Sequence, residues 1–98
     1  MSLEAYTFRY AKIFCFSGYV EIRRFYTADV SCPLADEVKF TCENKKLEKI
    51  FAAALNSFRF NAVDIFMDCP SRERAGWLCD SYFTGRVERY LFGKSRIE

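Results

Sequence analysis

Histidine is absent from this 98-residue chain, and cysteine does not replace it as a source of metal ligands. The cysteines are odd in number, and no two of them form a C-x-x-C pair. Structural zinc sites need closely spaced cysteines and histidines, so the sequence predicts no metal site. The simplest interpretation is a set of reduced, half-buried thiols, at Cys15, Cys32, Cys42, Cys69 and Cys79.

Long apolar runs are also missing. No stretch approaches the length of about 18 apolar residues that indicates a membrane-spanning helix. Residues 1–11 lack the apolar core of a signal peptide. We therefore expect no membrane partner and no signal peptide in this chain, and reduced thiols favour a cytoplasmic location.

Charge of one sign is not concentrated anywhere. Fifteen Lys and Arg against thirteen Asp and Glu give a net charge of +2, and the two signs are interspersed along the chain. Phosphate binding needs a clustered basic face, so nucleic acid is not an expected partner, even around Phe58-Arg59-Phe60.

Aromatic residues, by contrast, are abundant. Apolar residues make up 51% of the chain and charged residues 29%, which is typical of a globular protein. A chain of this size buries only roughly 60–65% of its unfolded surface, whereas eleven Phe and six Tyr must be accommodated. Some of these rings must stay exposed or contact a partner. We therefore expect self-association or a missing remainder of the protein.

The first part of the chain has the pattern of β-strands. Near-alternating aromatic and aliphatic residues predict strands over residues 6–16 and 19–30, separated by Ser17-Gly18, and a brief third strand over 38–42. Apolar residues 61–67 predict a buried extended stretch before Cys69-Pro70. The expected fold class is α+β, with short antiparallel strands followed by two helices.

The two helices have clearer signals. Asn44 is suited to cap a helix from Lys45 to about Arg59. Asp80 or Ser81 is suited to cap a second helix, which Gly93 ends. The predicted buried face of the first helix is Leu47, Ile50, Phe51, Ala54, Leu55 and Phe58, and that of the second is Phe83, Val87, Tyr90 and Leu91.

The loop between the helices, residues 68–80, has the densest chemistry. It holds three carboxylates, two arginines and the single tryptophan. Sugar hydrolysis uses these residue types, because carboxylates bind hydroxyls or donate a proton and an aromatic face packs on the ring. The alternative is a polar connection whose Arg and Glu pair at the surface while Trp77 fills the core.

The run DCPSRERAGWLCD, residues 68–80, resembles the signature of the α-L-rhamnosidases, usually DCPQRDERLGWxGD at the start of an (α/α)6 barrel. The likeness extends backward to Phe40-Thr41-Cys42 and Asn44 and forward into the helix after Asp80, covering roughly residues 8–93. It implies an inverting glycoside hydrolase that needs no cofactor and cleaves terminal α-L-rhamnosyl residues from a rhamnose-containing glycan. Under this resemblance the strands end a β-sandwich and the helices open the barrel.

The resemblance also implies residue roles. With the motif aligned on Arg74 and Trp77, a one-residue shortening puts Glu73 opposite the family's general acid. The implied substrate-binding residues are Asp68 and Asp80 for sugar hydroxyls, Trp77 as the aromatic wall, and Arg72 and Arg74 beside them. A general acid must stay protonated, which neighbouring carboxylates favour and neighbouring guanidinium groups oppose.

Two features depart from the expected pattern of a complete enzyme. Cys79 stands where the family has glycine. The base that an inverting enzyme needs comes from farther along the barrel in this family, and no residue here can be assigned to it.

We therefore interpret the chain as a fragment or truncated relative, inactive alone, with a β-rich segment at 1–42 and a helical segment at 43–98. The parent enzyme could be periplasmic or secreted. The alternative function is a non-catalytic carbohydrate-binding or oligomerising module.

Overall fold

The computed structural model describes residues 5–96. In this part of the chain two α-helices form, α1 (Lys45–Asn61) and α2 (Leu78–Phe92), preceded by a short 3₁₀ turn at Pro33–Glu37. No helix among the described residues is long and apolar enough to cross a membrane.

The predicted strands are absent from the described residues, so the α+β prediction is wrong. Residues 6–16, 19–30 and 38–42 form no ladder, and the sole pairing within residues 5–96 is an isolated antiparallel bridge between Ala62 and Phe66. A strand needs a partner for its backbone groups and a surface for one face. Neither is available here, since Tyr10, Phe16 and Tyr19 are 86%, 95% and 92% exposed.

Helix α1 begins where the sequence predicts. The Asn44 side chain accepts a hydrogen bond from Lys46 N at 3.0 Å and so satisfies a free helical N–H. Glu48 also stabilises the start of the helix, because its carboxylate accepts hydrogen bonds from Cys42 N at 3.0 Å and from Lys45 Nζ at 2.9 Å. The Lys45 contact and then the Cys42 N–H lower the pKa of Glu48. The helix ends at Asn61, two residues beyond the expected end.

The predicted apolar face of α1 is buried only toward its C-terminal end. Phe58 lies in the core, Leu55 packs against it, and the Phe51 ring stacks on Phe40 with centroids 4.6 Å apart. Leu47 and Ile50 remain exposed. The core is small and consists of Cys32, Ala35, Phe58, Ala62 and Phe66, with Leu34, Leu55, Leu91 and Phe92 packed around it.

Helix α2 differs from its prediction at its start and in its buried face. It begins at Leu78, and Trp77, not Asp80 or Ser81, is the N-cap residue, although its side chain makes no capping bond. Gly93 ends the helix as predicted, in the left-handed conformation with φ 73°.

The expected face of α2 is mostly exposed, because Gly85 and Glu88 are the buried residues instead. Gly85 lets the helix approach the Phe66 ring so closely that a Cβ there would lie 3.3 Å from Phe66 Cε2. The Glu88 carboxylate accepts from Ser95 Oγ at 2.7 Å and from Arg96 N at 2.8 Å, which ties the following turn to the helix.

The segment before α1 is attached to the end of that helix. Cys32 N donates to Arg59 O at 2.8 Å, and the Arg59 guanidinium pairs with Asp29 at 2.8 Å and Asp36 at 3.7 Å. The 3₁₀ turn packs on α1 through the buried Ala35. These contacts fix the C-terminal end of α1, from which the chain enters the loop at 68–77.

Candidate functional site

Asp68 closes the loop on itself. Its backbone N–H donates to Ala75 O at 3.0 Å, and its side-chain Oδ1 accepts from Ala75 N at 2.9 Å. The Ala75 N–H holds the pKa of Asp68 below its ordinary value, because it stabilises the ionised carboxylate more than partial burial destabilises it. Asp68 is therefore an anion that shapes the loop.

Glu73 and Trp77 are in direct contact. Trp77 Nε1 donates to Glu73 Oε2 at 3.1 Å, which holds the carboxylate at the edge of the indole. Trp77 is 56% exposed, so its ring does not fill the core. A half-open indole beside a carboxylate can pack against a sugar ring while the acid reaches the ring's substituent oxygen.

Arg72 occupies the other carboxylate oxygen. Its Nη2 lies 2.5 Å from Glu73 Oε1, and both side chains are substantially exposed. An exposed ion pair of this kind is weak and easily exchanged for other contacts. Arg72 must therefore turn away before this oxygen of Glu73 can contact a substrate.

Arg74 is directed toward the start of the described chain. Its guanidinium donates to Ala5 O at 2.6 Å and lies 5.8 Å from the centroid of the Tyr6 ring. The backbone at Arg74 is left-handed, with φ 51°, a conformation that costs free energy for a residue with a side chain. Thr7 Oγ1 also donates to Pro70 O at 2.9 Å, so the early segment crosses this loop.

Asp80 stands apart from these contacts. It lies in the first turn of α2, where a negative charge interacts favourably with the helix dipole. Within residues 5–96 no hydrogen bond or ion pair joins it to Asp68 or Glu73. The structure thus brings Arg72, Glu73 and Trp77 together, uses Asp68 within the loop, and leaves Arg74 and Asp80 outside that contact.

Two features were missed by sequence reasoning. The backbone N–H groups of Arg74, then Arg72, Glu73 and Ser71, lower the pKa of Cys69, because they stabilise its thiolate. The second feature is a cluster on α2, in which Arg86 contacts the hydroxyls of Tyr82 and Tyr90. The four-residue spacing Tyr82, Arg86, Tyr90 was the signal that predicts contact on one helix face.

No cysteine forms a disulfide in the described chain, and the five thiols range from buried Cys32 to exposed Cys15 and Cys79. Over residues 5–96 no three His, Cys, Asp or Glu side chains are grouped to hold a metal ion.

Comparison with protein families gives a match. The family model of the bacterial alpha-L-rhamnosidase 6 hairpin glycosidase domain matches residues 35–97, which include the end of the 3₁₀ turn, both helices and the whole loop. Neither the curated proteins nor the solved structures gave a match. The match spans nearly two thirds of the chain and confirms the resemblance seen in the motif at 68–80. The chain therefore belongs to the bacterial α-L-rhamnosidase six-hairpin glycosidase family.

Proposed function

We propose that this chain forms the acid side of an inverting α-L-rhamnosidase site. In this proposal Glu73 donates a proton to the departing oxygen of a terminal α-L-rhamnosyl residue. One observation supports it above the others: Glu73 is hydrogen-bonded to the half-exposed Trp77 within the segment that matches the family.

The chemistry divides between the two side chains. Glu73 supplies the proton as the bond to the departing oxygen breaks, which is the role of the acid in inverting glycosidases. The Trp77 N–H holds one carboxylate oxygen, and its open ring face packs on the apolar side of the sugar. Substrate binding displaces Arg72 from the other carboxylate oxygen, which can then contact the departing oxygen of the sugar.

The remaining loop residues bind hydroxyl groups in the proposal. Asp68, whose Oδ1 accepts from Ala75 N, binds a sugar hydroxyl in this proposal. Asp80 contributes an exposed carboxylate from α2. Arg72 and Arg74 are donors to the glycan, and Arg74 exchanges its contact with Ala5 for the substrate.

The proposal also requires a general base, which must come from a second surface. Inversion requires a carboxylate roughly 6.5–9.5 Å from the acid, with a water between it and the sugar. No residue among 5–96 is assigned this role. The proposed source is a partner copy or further protein of the same enzyme. We expect the chain alone to hydrolyse an aryl α-L-rhamnoside no faster than its Glu73→Gln variant.

Sugar binding provides the test. Trp77 is the sole tryptophan, so its fluorescence reports this site directly. We expect L-rhamnose to change that fluorescence more strongly than D-glucose does, and Glu73→Gln and Asp68→Asn to weaken the response. Glu43→Gln, an exposed carboxylate outside the loop, is the control and should behave as the unaltered chain. Equal responses to both sugars, or no effect of Glu73→Gln, would contradict the proposal.

A second candidate function is a non-catalytic carbohydrate-binding or oligomerising module. Its support is the set of exposed large apolar side chains, which includes Phe14, Phe16 and Tyr19. Sugar binding that persists while turnover stays absent in every assembly state would favour the module over the enzyme.

A further inference from the structure

An open groove of about 690 Å³ follows one face of α2. Leu78, Tyr82, Arg86 and Tyr90 recur at four-residue spacing and so lie along the same side of the helix. The groove is lined by these residues together with Phe66, Ser81 and Arg89. It begins at Leu78, directly after the proposed sugar-packing residue Trp77, and belongs to none of the roles assigned above.

Arg86 organises the polar part of the groove. Its Nη1 donates to Tyr82 Oη at 3.1 Å, its Nη2 donates over 3.5 Å to Tyr90 Oη, and the guanidinium lies 5.8 Å from the centroid of the Tyr82 ring. Contacts with Tyr90 and Tyr82 raise the pKa of Arg86, so the group is a cation throughout the working pH range.

The N–H and O–H groups of Arg86 and the two tyrosines that these contacts do not use are hydrogen-bond donors. A guanidinium carries five N–H groups, and only two of those of Arg86 are engaged here. Each tyrosine hydroxyl accepts from Arg86 and keeps its own O–H to donate. Ser81 is already committed, since its Oγ donates to Phe66 O at 3.3 Å.

Arg89 adds a second positive charge. Its guanidinium has no hydrogen-bond or ion-pair partner within residues 5–96, and no carboxylate is among the lining residues. The groove therefore combines two cations, two tyrosine O–H donors and two tyrosine rings. This combination is complementary to a ligand that has a planar anion and a ring with an apolar face.

We infer that this groove binds the uronic acid unit of an acidic saccharide, with the carboxylate held by Arg86 and Arg89 and the ring packed on Tyr82 or Tyr90. The inference rests on the proposed function and narrows its substrate class to acidic glycans. A carboxylate accepts paired N–H donors from arginine, and the sugar hydroxyls accept from the tyrosine O–H groups.

A charged and an uncharged form of one saccharide test the inference. The probes are a galacturonic acid trimer and its fully methyl-esterified form, titrated calorimetrically into the full chain. We expect the acid trimer to bind and the ester to bind at least roughly tenfold more weakly, because hydrogen bonds to charged groups are the stronger ones. Added salt should weaken the binding of the acid trimer, because it screens charge interactions.

Variants then assign the site. Arg86→Gln and Arg89→Gln should each lower the affinity for the acid trimer roughly tenfold. Tyr82→Phe should lower that affinity less. Lys49→Gln is the matched control, an exposed cation on α1 outside the groove, and should leave the affinity unchanged. Arg86 and Arg89 are exposed, so circular dichroism should show an unaltered fold in both variants.

Three results would overturn the inference: equal binding of acid and ester, unchanged affinity in both arginine variants, or inorganic phosphate binding as tightly as the trimer. The last would show anion capture without saccharide recognition. Failure of the proposed function is separately visible, since it removes the response of Trp77 to L-rhamnose and leaves trimer binding in place.

Discussion

Asp68 illustrates how a single carboxylate fixes the loop geometry. Its Oδ1 receives the Ala75 N–H, and this bond lowers its folded-state pKa below the unfolded value. A lowered carboxylate pKa contributes stability that is present above the unfolded pKa of about 4 and is lost as pH falls through the folded pKa.

We expect Asp68→Asn to lower the free energy of unfolding at pH 7 and to have progressively less effect below about pH 4. Asparagine keeps an acceptor for Ala75 N but no charge, so it matches the protonated wild-type side chain. Urea unfolding at a series of pH values measures the difference. Glu43→Gln is the control, and a difference that stays constant down to pH 2 would contradict the expectation.

Trp77 and Phe58 are large aromatics in opposite environments. Phe58 is 6% exposed and lies in the core, whereas more than half of Trp77 is exposed. We expect Phe58→Ala to cost about 3–5 kcal/mol or to prevent folding, which is the range for a buried aromatic. Trp77→Ala should cost much less. Denaturant midpoints measure both, and an equal loss in the two variants would show that Trp77 is structural.

At the scale of the element, Gly85 determines how α2 packs. Alanine favours a helix over glycine by about 1 kcal/mol, but a Cβ at this position would lie 3.3 Å from the ring of buried Phe66. Since that ring is held in the core, we expect Gly85→Ala to destabilise the protein. In a Phe66→Leu background the same change should stabilise it. Thermal unfolding of the wild type, the two single variants and the double variant measures the coupling between the two positions. Additive effects of the two changes would contradict the expectation.

At the scale of the whole molecule, the early segment exposes many large apolar groups. Phe14 and Phe16 stack with centroids 6.3 Å apart and are both exposed. Such patches mark interaction surfaces in soluble proteins. We expect the sedimentation coefficient to rise with concentration from the 11.5 kDa monomer.

Replacing both rings, Phe14→Ser with Phe16→Ser, should reduce that rise. Ala54→Ser, an exposed change on α1, serves as the control. A compact monomer at high micromolar concentration would contradict the proposed self-association.

The predictability of the fold followed the range of the interactions. Asn44 and Gly93 act on backbone groups within one turn, so they located the start of α1 and the end of α2 correctly. Tyr10 and Tyr19 fit a strand pattern, but a strand requires a distant partner that the alternation does not contain. The face of α2 was wrong for a similar reason, because burial depended on Phe66 reaching Gly85.

For the candidate site, too, local features were predictable from the sequence and long-range contacts were not. The sequence by itself determined the family, through the order of rare residues from Asp68 to Asp80, and the chemistry of each side chain. Only the tertiary structure decided that Glu73 pairs with Trp77 and Arg72, while Arg74 is held by the segment at Ala5. Composition and local spacing are properties of neighbouring residues, whereas these pairings depend on how the loop folds back and on which distant backbone groups lie beside it.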